Sequence, residues 1–266
     1  MFFKLYMSLK QRLKGMNFIM KNNEEKEFYN KIGKTIGWDF SILKCQMIDK
    51  STFQYFDEIN KDSENKIILD IGTGGGEKIL NNVKNAKLII GTDFSKEMIK
   101  RAKENAKARN DVMFFEMDSN EIKFPNNFFD MVCARHTPFN SIEVFRVLKS
   151  GGVLISEQID EDDCIELKRI FGRGQGFEKK IKQREQDKND LIKCNIKDFQ
   201  FYDIVQNEYY ETEEDLLFLL NNTPIIPNFG KMEKDYEKFN KYVENNKTDK
   251  GIYLKRILYG VKARKS

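Results

Sequence analysis

The stretch that decides the fold is Lys66-Ile67-Ile68-Leu69-Asp70-Ile71-Gly72-Thr73-Gly74-Gly75-Gly76-Glu77, a short apolar run that ends on an acid and breaks into glycines. Such a run, with turn residues behind it, reads as a buried strand over Lys66 to Ile71. A turn carrying Gly72, Gly74, Gly75 and Gly76 lets a ligand lie against bare backbone at the carboxyl edge of a sheet, where side chains would block it. A glycine turn after a strand also suits a nicotinamide or flavin nucleotide, but the third glycine of Gly-x-Gly-x-x-Gly, counted from Gly72, falls on Glu77. A carboxylate there would repel a pyrophosphate, which needs the helix terminus open and positive.

Outward from this loop the chain alternates strands and helices. Glu77 to Lys84 reads as a helix, Lys87 to Thr92 as a strand and Ser95 to Arg109 as a helix with Ser95 as its N-cap. Val112 to Glu116 and Phe128 to Ala134 read as strands, Ser141 to Leu148 as a helix and Val153 to Glu157 as a fifth strand. The alternation implies a parallel sheet with helices on both faces. Further on come a strand over Phe199 to Tyr209, a helix over Glu213 to Leu220, a polar helix and a last strand near Ile252 to Val261. Residues before Lys61 read as mainly helical, capping the sheet edge or the pocket.

Two more acids follow strands. Asp93 ends the second strand, where a carboxylate, with two acceptor oxygens and no donor, can receive both hydroxyls of a ribose. Asp118, after the third strand, can accept from an adenine amino group while the N–H of Ser119 donates to the ring. Each acid alone is more often a turn residue or a cap; three at successive strand ends together suit an adenosine ligand.

These residues resemble the class I S-adenosylmethionine-dependent methyltransferases, over roughly Ile67 to Gln158. The family's acid-x-Gly-x-Gly-x-Gly motif falls on Asp70, Gly72, Gly74 and Gly76, its ribose acid on Asp93 and its adenine-side acid on Asp118. Arg146-Val147-Leu148-Lys149-Ser150-Gly151-Gly152 resembles the turn into the family's fifth strand, with Ser150 where proline is usual. Gly37-Trp38-Asp39-Phe40-Ser41, Arg135-His136-Thr137-Pro138-Phe139 and Ser156-Glu157-Gln158 resemble a bacterial subgroup whose substrates are poorly defined. The resemblance implies an α/β Rossmann-like fold, with a seven-stranded, mostly parallel sheet, helices on both faces and an antiparallel last strand. It implies S-adenosyl-L-methionine as cofactor, with Phe94, Ser119, Tyr29 and Trp38 beside the glycines and acids. The expected organisation is an N-terminal extension over 1–22, a helical cap over 23–61, the cofactor-binding core over 62–160 and a C-terminal completion of the sheet with substrate-side insertions over 161–266.

For an activated methyl the main task is alignment of the acceptor and exclusion of water. An O- or N-nucleophile also needs a base, and the chain's one histidine, His136, stands just past the fourth strand. The alternative is that His136 ties down a loop; Arg135 either binds an acidic substrate or pairs with a structural carboxylate. Tyr29, Trp38 and Phe40 either line the pocket mouth, where aromatic faces attract a sulfonium, or pack the N-terminal helices. A small-molecule acceptor is expected. An RNA base is the second choice, because the turn after the fourth strand is not of the Asn/Asp-Pro-Pro-Tyr/Phe type. A non-catalytic adenosyl-ligand binder or assembly partner is the choice from another class.

Bulk properties narrow little else. With 46 basic and 42 acidic residues interspersed along 266, the net charge of +4 does not indicate a nucleic-acid binder. Four separated cysteines, Cys45, Cys133, Cys164 and Cys194, indicate neither a zinc site nor a disulfide framework and fit a reduced cytoplasm. Met1 to Met20 has apolar residues at helical spacing interrupted by lysines and Arg12, which reads as a loosely packed helical extension ahead of the domain, with a basic amphipathic membrane-surface helix as the alternative, and not as a signal peptide; no stretch reads as a membrane span. The acidic run Asp160 to Asp163 could bind a metal or, more simply, favour the start of the next helix; the loop Phe171-Gly172-Arg173-Gly174-Gln175-Gly176 reads as a flexible connector rather than a phosphate cradle.

Overall fold

A computed structural model describes residues 23–266, so the extension over 1–22 and the amphipathic reading of Met1 to Met20 lie outside the described residues. The first described element is a helix, α1, over residues 23–34. Then come β1 (Cys45–Asp49), α2 (Tyr55–Asp62), β2 (Ile67–Ile71), α3 (Glu77–Asn82), β3 (Leu88–Asp93), α4 (Lys96–Asn105), β4 (Val112–Glu116) and β5 (Phe129–Arg135). The chain continues with α5 (Ser141–Val147), β6 (Leu148–Ile159), α6 (Ile165–Phe171), α7 (Gln183–Lys193) and β7 (Asp198–Tyr210). It closes with α8 (Glu213–Asn222), α9 (Asp235–Asn246), β8 (Lys247–Thr248) and β9 (Gly251–Arg264).

The strands form one sheet in the order β1-β7-β9-β6-β5-β2-β3-β4, with the two-residue β8 attached to β9. The ladders β2–β3, β2–β5, β3–β4 and β5–β6 are parallel, while β9 runs antiparallel to both β6 and β7. Six strands therefore point one way and the last is reversed among them, the expected seven-stranded sheet. Because side chains alternate along a strand, the central apolar runs bury both faces. Ile68, Ile89, Met131 and Val153 enter the core on one side, while Leu69, Ile90, Val132 and Leu154 enter the core on the other. A third core, with Leu216, Leu220, Phe239, Tyr242 and Leu254, joins α8 and α9 to the far ends of β7 and β9.

The structure departs from the sequence reading in four places. Residues before Lys61 are not all helical: β1 adds an outer antiparallel strand on β7, with Cys45 opposite Tyr210 and Asp49 opposite Gln206. Helix α4 stops at Asn105 rather than Arg109, because Arg109 turns to pair with Asp111 and to donate to the Leu80 and Val83 carbonyls. The fifth core strand begins at Leu148, since the backbone groups of Gly151 and Gly152 bond to Lys265 beyond the end of β9. The loop 171–176 is anchored: Arg173 donates twice to the buried Asp235, at 2.8 and 2.9 Å, and the Gln175 N–H donates to the Ile225 carbonyl.

The acidic run is likewise used for tertiary ties rather than for a helix terminus. Asp163 receives Arg256 and the Ile257 N–H at 2.9 Å each, and Asp162 pairs with Lys182. Ser95 caps α4 as expected, its hydroxyl accepting from the Met98 N–H at 3.3 Å. Among the described residues no helix is long and apolar enough to cross a membrane, and the four cysteines are free thiols.

Candidate cofactor and acceptor site

A cleft of about 560 Å³ opens at the carboxyl ends of the central strands, within the size range of small-molecule sites. The strands set its chemistry like a ruler, at about 4.8 Å per step. In sheet order the row reads Asp118 after β4, Asp93 at the end of β3, Asp70 in β2, Arg135 at the end of β5 and Glu157 in β6. Each of the first four lines the cleft.

The glycine loop is tied to β3. Gly74 N–H donates to Asp93 Oδ2 at 3.0 Å, Ser95 N–H donates to Oδ1 at 2.8 Å, and Thr73 N–H donates to the Thr92 carbonyl. Gly72, Gly74 and Gly76 all have positive φ, at 68°, 58° and 77°. At Gly72 a side chain is excluded twice over, because a Cβ would also stand 2.5 Å from that of Thr137. Gly76 lies behind the loop and, unlike Gly72 and Gly74, does not line the cleft.

Asp93 is buried, and burial pushes its carboxyl up to about 6 despite the two backbone donors. Burial, helped by the charge of Asp93, raises Asp70 further, to about 7, while the charge of Arg135 holds it down. Asp118 is exposed; its Oδ1 accepts from the N–H and side-chain amide of Asn120. Glu77 folds back over the loop, with Oε1 2.3 Å from where a Gly75 Cβ would stand and the Asn105 amide donating to it at 3.3 Å. Its carboxylate thus occupies the turn where a pyrophosphate would need free N–H groups.

An aromatic wall faces this loop. Tyr29, on α1, packs against Trp38 at 5.8 Å and Phe94 at 5.7 Å between ring centroids, and Trp38 packs on Phe40 at 5.3 Å. Tyr29, Trp38 and Phe94 line the cleft. They therefore pack the N-terminal segment and line the pocket at once.

On the other side, Glu157 receives two neighbours on one oxygen: Arg135 Nε at 2.8 Å and His136 Nε2 at 3.0 Å. Burial opposes the Glu157 charge, yet Arg135 and then His136 draw its carboxyl down to about 2. Burial, and then Arg135, lower His136 to about 4 against the pull of Glu157, so at neutral pH the ring is uncharged. An ionised carboxylate only accepts, so Nε2 carries the ring proton and Nδ1 is left as an acceptor. His136 has a left-handed backbone, φ 54°, fixed by its N–H donating to the Glu157 carbonyl at 2.8 Å.

Ser119, Arg135 and His136, expected from the sequence, also line the cleft. Sequence reasoning missed Tyr55, Lys78 and Gln175. Tyr55 sat in a segment read only as a cap, Lys78 in an ordinary helix turn and Gln175 in a supposed connector; the aromatic pair Tyr55-Phe56 was the one available signal. Among the described residues no group of three or more His, Cys, Asp or Glu side chains is set to hold a metal.

Residues 68–152 match the family model described as a methyltransferase domain. An uncharacterised protein of Methanocaldococcus jannaschii is 40% identical over 70 residues, which is 25% of this chain; the chain spans 32% of that relative's length. Among solved structures, the YcgJ protein of Bacillus subtilis superposes with TM-score 0.56 at 18% identity, over 79% of this chain and 97% of that one. A candidate methyltransferase of Bacillus halodurans superposes with TM-score 0.55 at 15% identity, over 79% and 98%. The [4+2]-cyclase SpnF superposes with TM-score 0.50 at 19% identity, over 79% and 80%, so this fold also houses chemistry other than methyl transfer. Residues 68–152 are thus similar to a methyltransferase domain, and the sheet that carries them has the Rossmann-like fold of these solved structures.

Proposed function

We propose that this chain transfers the methyl group of S-adenosyl-L-methionine to an oxygen or nitrogen nucleophile on a small-molecule acceptor, with His136 as general base. One observation carries the reading: along a single row of strand ends, three acids suited to an adenosyl ligand are followed by a neutral histidine oriented by an ionised glutamate.

The residues fit the donor. Asp93 keeps lone pairs for ribose hydroxyls beyond the two backbone bonds that aim it, and Asp118 and Ser119 offer an acceptor and a backbone donor to an adenine edge. The faces of Tyr29 and Trp38 suit a cation, and the loop Gly72 to Gly74 leaves room for the donor's methionine end. When bound, S-adenosylmethionine supplies a methyl already activated on a sulfonium.

The chain's own residues do the rest. The helices α1 and α2 contribute Tyr29 and Tyr55 to the cleft wall and screen it from water. Glu157 fixes the His136 tautomer, and Nδ1 accepts the proton that leaves the nucleophile. A labelled-methyl screen of small molecules and RNA, repeated with His136→Ala, tests the reading. Transfer should fall by about 100-fold or more while donor affinity is unchanged; unchanged transfer removes His136 as base.

A further inference from the structure

Crossing from β2 to β5, the row of strand ends changes sign, from Asp118, Asp93 and Asp70 to Arg135. Three steps separate β4 from β5, about 14 Å at the usual strand spacing, so an adenosyl ligand laid along the acids has most of its length spent before Arg135. Beyond Asp70 the cleft presents donors. Tyr55 is 4% exposed, yet its hydroxyl, buried at the cleft wall, has no hydrogen-bond partner among the described residues. The nearby Cys133 thiol is a weak acceptor that does not meet hydrogen-bond geometry. Buried hydroxyls in native proteins are nearly always satisfied, so one left open at a cleft wall marks a ligand's place.

The ammonium of Lys78, at the rim, makes no ion pair or hydrogen bond among the described residues, and Arg135 has one ion pair there, to Glu157. Burial beside the cleft wall and then the charge of Arg135 lower the Lys78 pKa, against a smaller pull from the Asp39 and Glu77 carboxylates, so the two cations are near enough to repel each other. Burial raises the Tyr55 hydroxyl well above its ordinary range, which keeps it a donor.

We infer that Tyr55, Lys78 and Arg135 form an anion-receiving corner and that the acceptor molecule carries a carboxylate or phosphate group, a proposal that rests on the methyl-transfer reading for the acceptor's fate. Glu157 holds the Arg135 side chain through Nε, which leaves the guanidinium edge for an oxyanion. The acceptor's nucleophile then lies between this corner and His136.

The test uses the full chain saturated with S-adenosylhomocysteine, titrated separately with benzoate, benzamide and inorganic phosphate. Trp38, the one tryptophan and a cleft residue, reports binding by fluorescence, with calorimetry alongside. Benzoate or phosphate should bind at least about tenfold more tightly than benzamide, and Lys78→Gln or Tyr55→Phe should cut that preference to about threefold or less. Affinity for S-adenosylhomocysteine should stay unchanged in both variants. The proposal is overturned if benzoate and phosphate bind no better than benzamide. It is equally overturned if the variants weaken S-adenosylhomocysteine instead, since the corner then receives the donor's own carboxylate. Anion preference without labelled-methyl transfer to any acid would leave the corner standing and remove the methyl-transfer reading.

Discussion

Replacing Asp70 by asparagine should stabilise the empty protein and weaken the liganded one. Burial raises the Asp70 carboxyl from an ordinary 3.8 to about 7. A raised folded pKa means that the group's favourable contribution is complete below pH 3.8 and is lost as pH climbs through about 7. Each pH unit in that window is about 1.4 kcal/mol, so an ionised Asp70 costs the empty fold roughly 4 kcal/mol above pH 7. Asparagine keeps the shape and carries no charge, but it gives up the attraction of Arg135, which offsets part of the gain. In a chain of this size each kcal/mol moves the melting temperature by about 2–4 °C, so Asp70→Asn should melt roughly 5–10 °C higher at pH 8. At pH 4 the two proteins should melt together. Scanning calorimetry of both proteins from pH 4 to pH 8, with and without S-adenosylhomocysteine, is the assay. The ligand should raise the parent's melting temperature more than the variant's. A difference that does not grow with pH would refute the reasoning, because the burial penalty would then not be electrostatic.

Two further outcomes follow from the site. With His136 lowered to about 4, kcat measured with donor and acceptor both saturating should lose activity only as pH falls through about 4, whereas kcat/KM also carries the free-enzyme limbs of Asp93 and Asp70 near 6 and 7; a limb in kcat near the ordinary histidine value would show that the ring is not buried as described. Arg173→Ala leaves the Asp235 carboxylate, 1% exposed, with only the N–H groups of Gly230 and Met232, and should cost about 3 kcal/mol in urea unfolding; a loss under about 1 kcal/mol would mean that the pair carries no buried charge.

The parallel half of the sheet was legible because its strands are buried on both faces. Ile67 to Ile71 is a nearly continuous apolar run, Leu88 to Ile90 opens the next strand in the same way, and no helix period competes with them. β1 was not legible: Cys45-Gln46-Met47-Ile48-Asp49 is an outer strand with no fully buried residue, and its pairing partner lies about 160 residues on. The side of the cleft proposed for the cofactor was readable because glycines and acids must sit at fixed places after strands, and Gly74 and Asp93 do meet. The side proposed for the acceptor was not. Tyr55, Lys78 and Gln175 reach the cleft from α2, α3 and the loop held by Arg173, contacts that no local pattern encodes. Glu157 was visible only as part of a family-like triplet, while its hold on both Arg135 and His136 depends on the β5–β6 register.

The most direct measurement is calorimetric titration of the full chain with S-adenosylmethionine and, separately, with a dinucleotide such as NAD. One equivalent of S-adenosylmethionine should bind, Asp93→Ala should weaken it by at least about tenfold, and the dinucleotide should give no heat. Binding of the dinucleotide in place of S-adenosylmethionine would contradict the assignment of the glycine loop and its folded-back Glu77 to a methyl donor.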